Sequence, residues 1–377
     1  MRRIGLVLVG LLFLVLPLGA QAPPGPVAPL PGTPIQQAPA GSQAKLVVRV
    51  SLVNTPVTVR DAKGQMVTSL DAKDFQITDN GVAQRITHFD LGGDPLSVVV
   101  LFETSSRLDP LLPELRKTGI LLTQTVLGPS GEAAIVGFND GVDKLLEFTT
   151  NADEIEKTVA HLQTGTSGAK LYDAMAVGVE MLSGRAQATP ERPGRRRVLL
   201  VVSEANDAGS ETKLGAVLRQ AQLSNVTIYS VGLSTTRAEL QAKPRDPVPQ
   251  ATPPGTFGLP PQPGVAQTPD SEAARYGSGN LLALAAWAVQ HIKDQVKDHA
   301  LEVAATATGG AHLPTFKDRS IEKAIDEIGG ELHSQYSISY NPTGGNDTGY
   351  HEIKVQVARD GLKVRSRPGY YIAPPEG

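Results

Sequence analysis

Three dense apolar runs, residues 96–102 (LSVVVLF), 197–202 (RVLLVV) and 226–233 (VTIYSVGL), limit what this chain can fold into more than any other feature. A strand with one wet face alternates polar and apolar residues, so runs of this kind predict strands covered on both faces. Such strands belong to parallel sheets layered between helices. Helical spacing separates them: Leu111, Leu115, Thr118 and Leu122 recur along 110–126, and further helices are predicted over 152–162, 169–182 and 213–223. Residues 133–138 and 142–148 flank the turn Asn139-Asp140-Gly141, which predicts a hairpin and hence one antiparallel edge strand. The expected fold class is α/β, a doubly wound, mostly parallel sheet with one antiparallel edge strand. Ligands of such sheets bind beyond the carboxyl ends of the strands, where the strand order reverses, which points to loops 103–109, 165–170 and 203–210.

The flanks carry a different period. Val57 and Val59, Phe75 and Ile77, and Ile86 with Phe89 alternate with polar residues, as do Val48, Val50 and Leu52. Period two predicts strands, and Asp79-Asn80-Gly81 predicts a tight hairpin because Asn-Gly accepts positive φ. Residues 336–340, 351–357 and 362–364 repeat the pattern after the core. The division expected is a β segment over 44–92, an α/β domain over 93–335 and a second β segment over 336–377; whether the two β segments join is open at this stage.

Arg2-Arg3, an apolar run over 4–18 and Gly19-Ala20-Gln21-Ala22 read as a cleaved signal peptide over 1–22, placing the mature chain in the periplasm or outside the cell, with no membrane span of its own. Residues 23–43 hold seven prolines and read as a semi-rigid linker; the tract from Pro244 to Pro269 holds nine and reads as an insertion loop over 241–272. A net charge of -3 disfavours nucleic acid as a partner. The absence of cysteine excludes disulfides, thiolate metal sites and thiol nucleophiles, and the seven histidines show no metal-binding spacing. Residues 280–302 read as an amphipathic helix with Trp287 on its apolar side, residues 344–349 as a flexible connection rather than a calcium loop, and Arg195-Arg196-Arg197 as a solvated strand end. Asn225-Val226-Thr227 fits a glycosylation acceptor but opens a strand expected to be buried.

The stretches Asp74-Phe75 with Asp79-Asn80-Gly81, Leu171-Tyr172-Asp173-Ala174, residues 304–310 (AATATGG) and Arg367-Pro368-Gly369-Tyr370-Tyr371 together resemble the von Willebrand factor type A domain, in particular secreted bacterial relatives of it. The resemblance implies a Rossmann-like core whose upper edge holds magnesium at a metal-ion-dependent adhesion site, completed by a partner's carboxylate. It places that site on Glu103, Ser105, Arg107, Ala169, Asp173 and Glu204. Several of these depart from the family's oxygen ligands: Glu103 and Glu204 stand for aspartates, Arg107 for a serine and Ala169 for a threonine. A guanidinium is always charged and repels a dication at short range. The expectation is therefore that Arg107 pairs with Glu103 or Glu204, that no metal or other cofactor binds, and that the loops form a partner surface for a protein or glycan of the cell envelope, without enzymatic activity. The alternatives are a rearranged magnesium site drawing on Asp109, Asp207 or Thr166, and an envelope hydrolase using Glu103 and Glu204 as an acid/base pair, which needs the two carboxyls in an open cleft.

Overall fold

Strand and helix alternate from residue 96 onward, as the apolar runs require, while the two ends of the chain contribute strands of a second kind. The computed structural model describes residues 52–185, 194–233, 299–315, 320–343 and 349–372. The expectations for 1–22, 23–43, 241–272 and 344–348, and those for Val48, Val50 and Trp287, lie outside the described residues. The entry segment forms β1 (Val53–Arg60), β2 (Phe75–Asp79), β3 (Val82–Gln84) and β4 (Ile86–Leu91). The core begins with β5 (Leu96–Glu103), α1 (Leu112–Leu115), α2 (Thr118–Leu121), β6 (Glu132–Phe138), β7 (Val142–Thr149) and α3 (Ala152–Ala160). It goes on through α4 (Leu171–Ser183), β8 (Arg196–Ser203), α5 (Leu214–Leu223), β9 (Val226–Gly232), α6 (Ala300–Thr308), β10 (His312–Pro314) and α7 (Ile321–His333). The tail adds β11 (Tyr336–Tyr340), β12 (Gly349–Val357), β13 (Lys363–Ser366) and β14 (Gly369–Ile372).

The central sheet runs β10-β9-β8-β5-β6-β7. Every pairing in it is parallel except that of β6 with β7, so the hairpin at Asn139 supplies the antiparallel edge strand. Alternate residues of β5 enter opposite layers. Val99 and Leu101 pack with α4, α5 and α6, whereas Val98, Val100 and Phe102 pack with α3 and α7. Both faces being dry explains the apolar runs. Gly178 lets α4 settle closely, since a Cβ there would lie 2.5 Å from Leu199 Cδ1. After β5 the chain moves to β6 and β7 on one side, then to β8, β9 and β10 on the other. The strand order therefore reverses between β5 and β8, at whose carboxyl ends a crevice is expected.

The single helix expected over 110–126 is instead broken. A 3-10 turn (Ser106–Leu111) containing Pro110 leads into α1 and α2, and a π turn (Leu122–Leu127) follows. Prolines 110 and 113 offer no amide to a helix, and the Thr118 hydroxyl takes the Leu115 carbonyl at 2.7 Å. Ala169 also falls outside its expected helix, pairing instead with Ala208 in an isolated bridge.

The two β segments interleave. β1 pairs with β11 and β13, and β2 with β12, giving two four-stranded sheets ordered β13-β1-β11-β4 and β14-β12-β2-β3. They share an apolar cluster containing Val57, Phe75, Ile77, Tyr336 and Ile353. Asn80 and Gly81 take φ of 47° and 81°, the geometry of a primed turn, between β2 and β3. β14 has no alternating pattern and was not legible as a strand. Glu331 of α7, 3% exposed, joins this unit to the core: it receives Arg60 Nη2 at 3.1 Å, Arg365, and the Tyr229 hydroxyl at 2.8 Å. The junction lies at the amino ends of the core strands, where Arg196 of β8 donates to the Leu332 carbonyl at 2.7 Å. The crevice is at the other end.

Candidate functional site

Parallel pairing of β5 with β8 sets Phe102 beside Val202, so both strands end together and Glu103 meets Ser203. The Glu103 side chain is fully buried. Its Oε1 accepts from Ser105 Oγ at 2.7 Å and Arg107 Nη2 at 3.1 Å. Its Oε2 accepts from Ser203 Oγ at 2.8 Å and the Glu204 N–H at 2.9 Å. A carboxylate offers about four lone-pair positions, so protein donors occupy all of them. Arg107 Nε lies 3.7 Å from Glu204 Oε2, which puts the guanidinium between the two glutamates as the charge argument expected. The next residue, Ala205, is held at φ 66° while its N–H donates to Ser203 Oγ at 3.1 Å. A non-glycine residue in that region carries strain, and here it turns successive N–H groups inward.

The six residues singled out from the sequence do not form one cluster. Glu103, Ser105, Arg107 and Glu204 do. Ala169 is fully buried, packed in the apolar layer with α4, and its carbonyl accepts from the Ala208 N–H at 2.8 Å. Asp173 is turned toward the next loop, accepting from the N–H groups of Thr212 at 2.8 Å and Glu211 at 3.1 Å. Burial works against its ionisation, but the Thr212 and Glu211 donors and the Lys170 charge outweigh it and hold its carboxyl below the ordinary 3.8. The alternative ligands are engaged elsewhere. Asp109 accepts from Thr164. The Thr166 hydroxyl donates to Asn139 Oδ1 at 3.2 Å. Asp207 Oδ1 accepts the Tyr172 N–H at 3.1 Å, at the start of α4; burial first, and then the Asp207 charge, push the Tyr172 phenol up to about 12.

This donor set does not fit a magnesium ion. The central carboxylate has no lone pair left, a methyl group stands at Ala169, and a guanidinium adjoins both glutamates. Among the described residues no three of His, Asp or Glu converge in a way that could hold a metal ion. Nor does Glu103 suit proton transfer: it is buried, and each oxygen is already a double acceptor.

Other polar groups come together that no local pattern signals. Asp79, 4% exposed, accepts from His351 Nδ1 at 2.9 Å, Tyr370 OH at 2.7 Å and Tyr340 OH at 3.0 Å. Ser230 Oγ lies 2.9 Å from His312 Nδ1. Asn225, expected within a buried strand end, is exposed at φ 50° and accepts from Arg367 Nη1 at 2.6 Å. Among the described residues no helix is long and apolar enough to cross a membrane.

No protein-family model matches the chain, and no curated protein matches it by sequence. Among solved structures it is similar to the conserved hypothetical protein BatB from Bacteroides thetaiotaomicron, at 12% identity and a TM-score of 0.37 over 63% of this chain and 98% of that one. An aerotolerance-related membrane protein from Bacteroides fragilis gives the same values. Proximal thread matrix protein 1 of the mussel byssus is 14% identical, with a TM-score of 0.32 over 41% of this chain and 42% of that one. Likeness at this level carries no argument about what this chain does.

Proposed function

We propose that the chain is an exported, non-enzymatic binding or scaffolding protein built on a von Willebrand factor type A-like core, in which Arg107 has taken the seat of the adhesion-site cation. The observation that carries this reading is the closed donor shell of Glu103, with Arg107 completing it and reaching Glu204. A protein or glycan of the cell envelope then meets the upper loops directly, without a bridging ion. Ser106, Thr166, Asn206 and Glu211 are exposed on three different loops there and are the contact candidates. The β unit adjoins the opposite end of the core, so the molecule offers two separate surfaces, as a scaffold requires. Export rests on the signal-like residues 1–22.

The test combines calorimetry with capture. Magnesium and manganese titrated into the purified chain are expected to give no heat of binding. A partner captured from envelope extract is expected to stay bound in EDTA and to be lost on Glu211→Lys with Asn206→Lys. Micromolar manganese binding that disappears in Ser105→Ala overturns the reading in favour of a metal-dependent site. Release of soluble fragments from envelope material, abolished by Glu204→Gln, overturns it in favour of a hydrolase.

A further inference from the structure

A cleft of about 340 Å3 opens beside the upper loops, between the β6–β7 hairpin, the end of α3 and the loop after it. We infer that this cleft is a saccharide subsite, holding a ring of a neutral glycan. Two glycines in its lining let neighbouring side chains pack closely: a Cβ on Gly137 would lie 3.1 Å from Leu145 Cδ1 and 3.4 Å from Thr104 Cγ2, and one on Gly165 would lie 2.5 Å from Asn139 Nδ2. Its size is at the low end of small-molecule pockets, about 300–1,000 Å3, which suits one ring with a substituent.

The chemistry of the lining selects the class of ligand. Among the described residues no lysine or arginine lines the cleft, so its lining offers no fixed positive charge to an anion. Asp143 is the one carboxylate among those residues, too few hard oxygens for a metal ion. What remains is neutral and two-sided. His161 Nδ1 lies 2.7 Å from the Lys157 carbonyl, which can only accept, so Nδ1 carries a hydrogen and Nε2 is the ring's second polar atom. Asn139 spends one amide hydrogen on Thr104 Oγ1 at 3.3 Å and keeps the other. Gln163 adds a second amide on the rim, and Leu145, 42% exposed, gives an aliphatic wall. Donors and acceptors around a greasy patch match a sugar ring, with hydroxyls on its edge and C–H groups on its face.

The inference deepens the proposed recognition at the upper loops and rests on that reading. The two fail separately, because no lining residue of the cleft belongs to the Glu103–Arg107–Glu204 cluster. The test is saturation-transfer NMR and calorimetry on the whole chain. The probes are glucose, galactose, N-acetylglucosamine and its β-1,4-linked dimer, with glucose 6-phosphate as the anionic control. At least one neutral sugar is expected to bind, with the phosphate weaker than its parent. Asp143→Asn should weaken that sugar about tenfold, the usual loss for one hydrogen bond to a charged group. Gly137→Val, whose side chain would displace the lining residues Leu145 and Thr104, should abolish binding, and Lys354→Ala on β12 should leave it unchanged. Asp143 and Gln163 are exposed, so Asp143→Asn and Gln163→Ala keep the test decisive where Gly137→Val does not fold. Binding of no neutral sugar overturns the inference, as does binding that is indifferent to both Asp143→Asn and Gln163→Ala.

Discussion

A buried carboxylate survives only with compensation, and Glu103 shows how much one residue needs: two hydroxyls, a backbone N–H and a guanidinium. Arg107 is the one charged donor among them and is 34% exposed, so its pairing falls between surface and fully buried values. Arg107→Ala is expected to lower unfolding stability by roughly 2 kcal/mol in urea titration, while Arg107→Lys recovers only part of it. Asn225 couples a left-handed backbone to the buried Arg367, 4% exposed. Asn225→Ala therefore loses both an acceptor and a residue type tolerant of positive φ, an expected cost of about 2 kcal/mol in the same measurement. Asp173 supplies a pH-dependent contribution. Its folded-state value lies below the ordinary 3.8, so its stabilisation is present above that pH and is lost as pH falls through the lower folded value. Asp173→Asn should accordingly be less stable than the parent at neutral pH and converge with it on acidification. At this scale, Glu103, Arg107 and Glu204 were singled out by the resemblance of their loops to the von Willebrand factor type A domain, and the structure brings the three together. The same resemblance placed Asp173 with them, but its partners Glu211 and Thr212 lie in another loop, and only packing turns it there.

Helices were legible where the apolar period ran unbroken, as in α3, α4 and α5, and misread where it concealed prolines. Residues 110–126 keep helical spacing of Leu111, Leu115 and Leu122, yet Pro110 and Pro113 and the Thr118 back-bond break the segment into short turns. Capping tells the same story. Lys170 precedes α4 and makes no side-chain cap; Asp207 and Ser210, from the loop after β8, accept the Tyr172 N–H instead, each at 3.1 Å. Asp207→Ala should cost about 1 kcal/mol, as loss of an N-cap does, and should lower the Tyr172 phenol pKa, read by ultraviolet titration. A helix carries its apolar stripe in its own sequence, but a cap borrowed from a remote loop leaves no trace there.

For the whole molecule, the α7 carboxylate of Glu331 is the joint between core and β unit, gripped by Arg60 and Arg365 from one side and Tyr229 from the other. Glu331→Ala takes the shared carboxylate from Arg60 and Arg365 and leaves Arg60 the longer pair with Glu327 at 4.0 Å. The expected loss is about 3 kcal/mol, and hydrogen exchange should quicken in β1 and β13 before it does in β5 and β8. The joint also keeps the sheets away from the crevice, separating the two surfaces that a reading of loops and strands alone left undivided.

The amino-acid sequence by itself determined the layered α/β core, its antiparallel edge strand and the Asn80-Gly81 turn. These follow from short-range rules: the period of apolar residues and the φ demands of a turn. The tertiary structure alone decided that the chain's two ends weave into one β unit, that Glu204 comes within reach of Arg107, that Asp173 and Asp207 brace a loop, and that Thr104, Asn139 and Gln163 border one cleft. Each of those depends on groups tens to hundreds of residues apart, brought together by burial that no local pattern encodes.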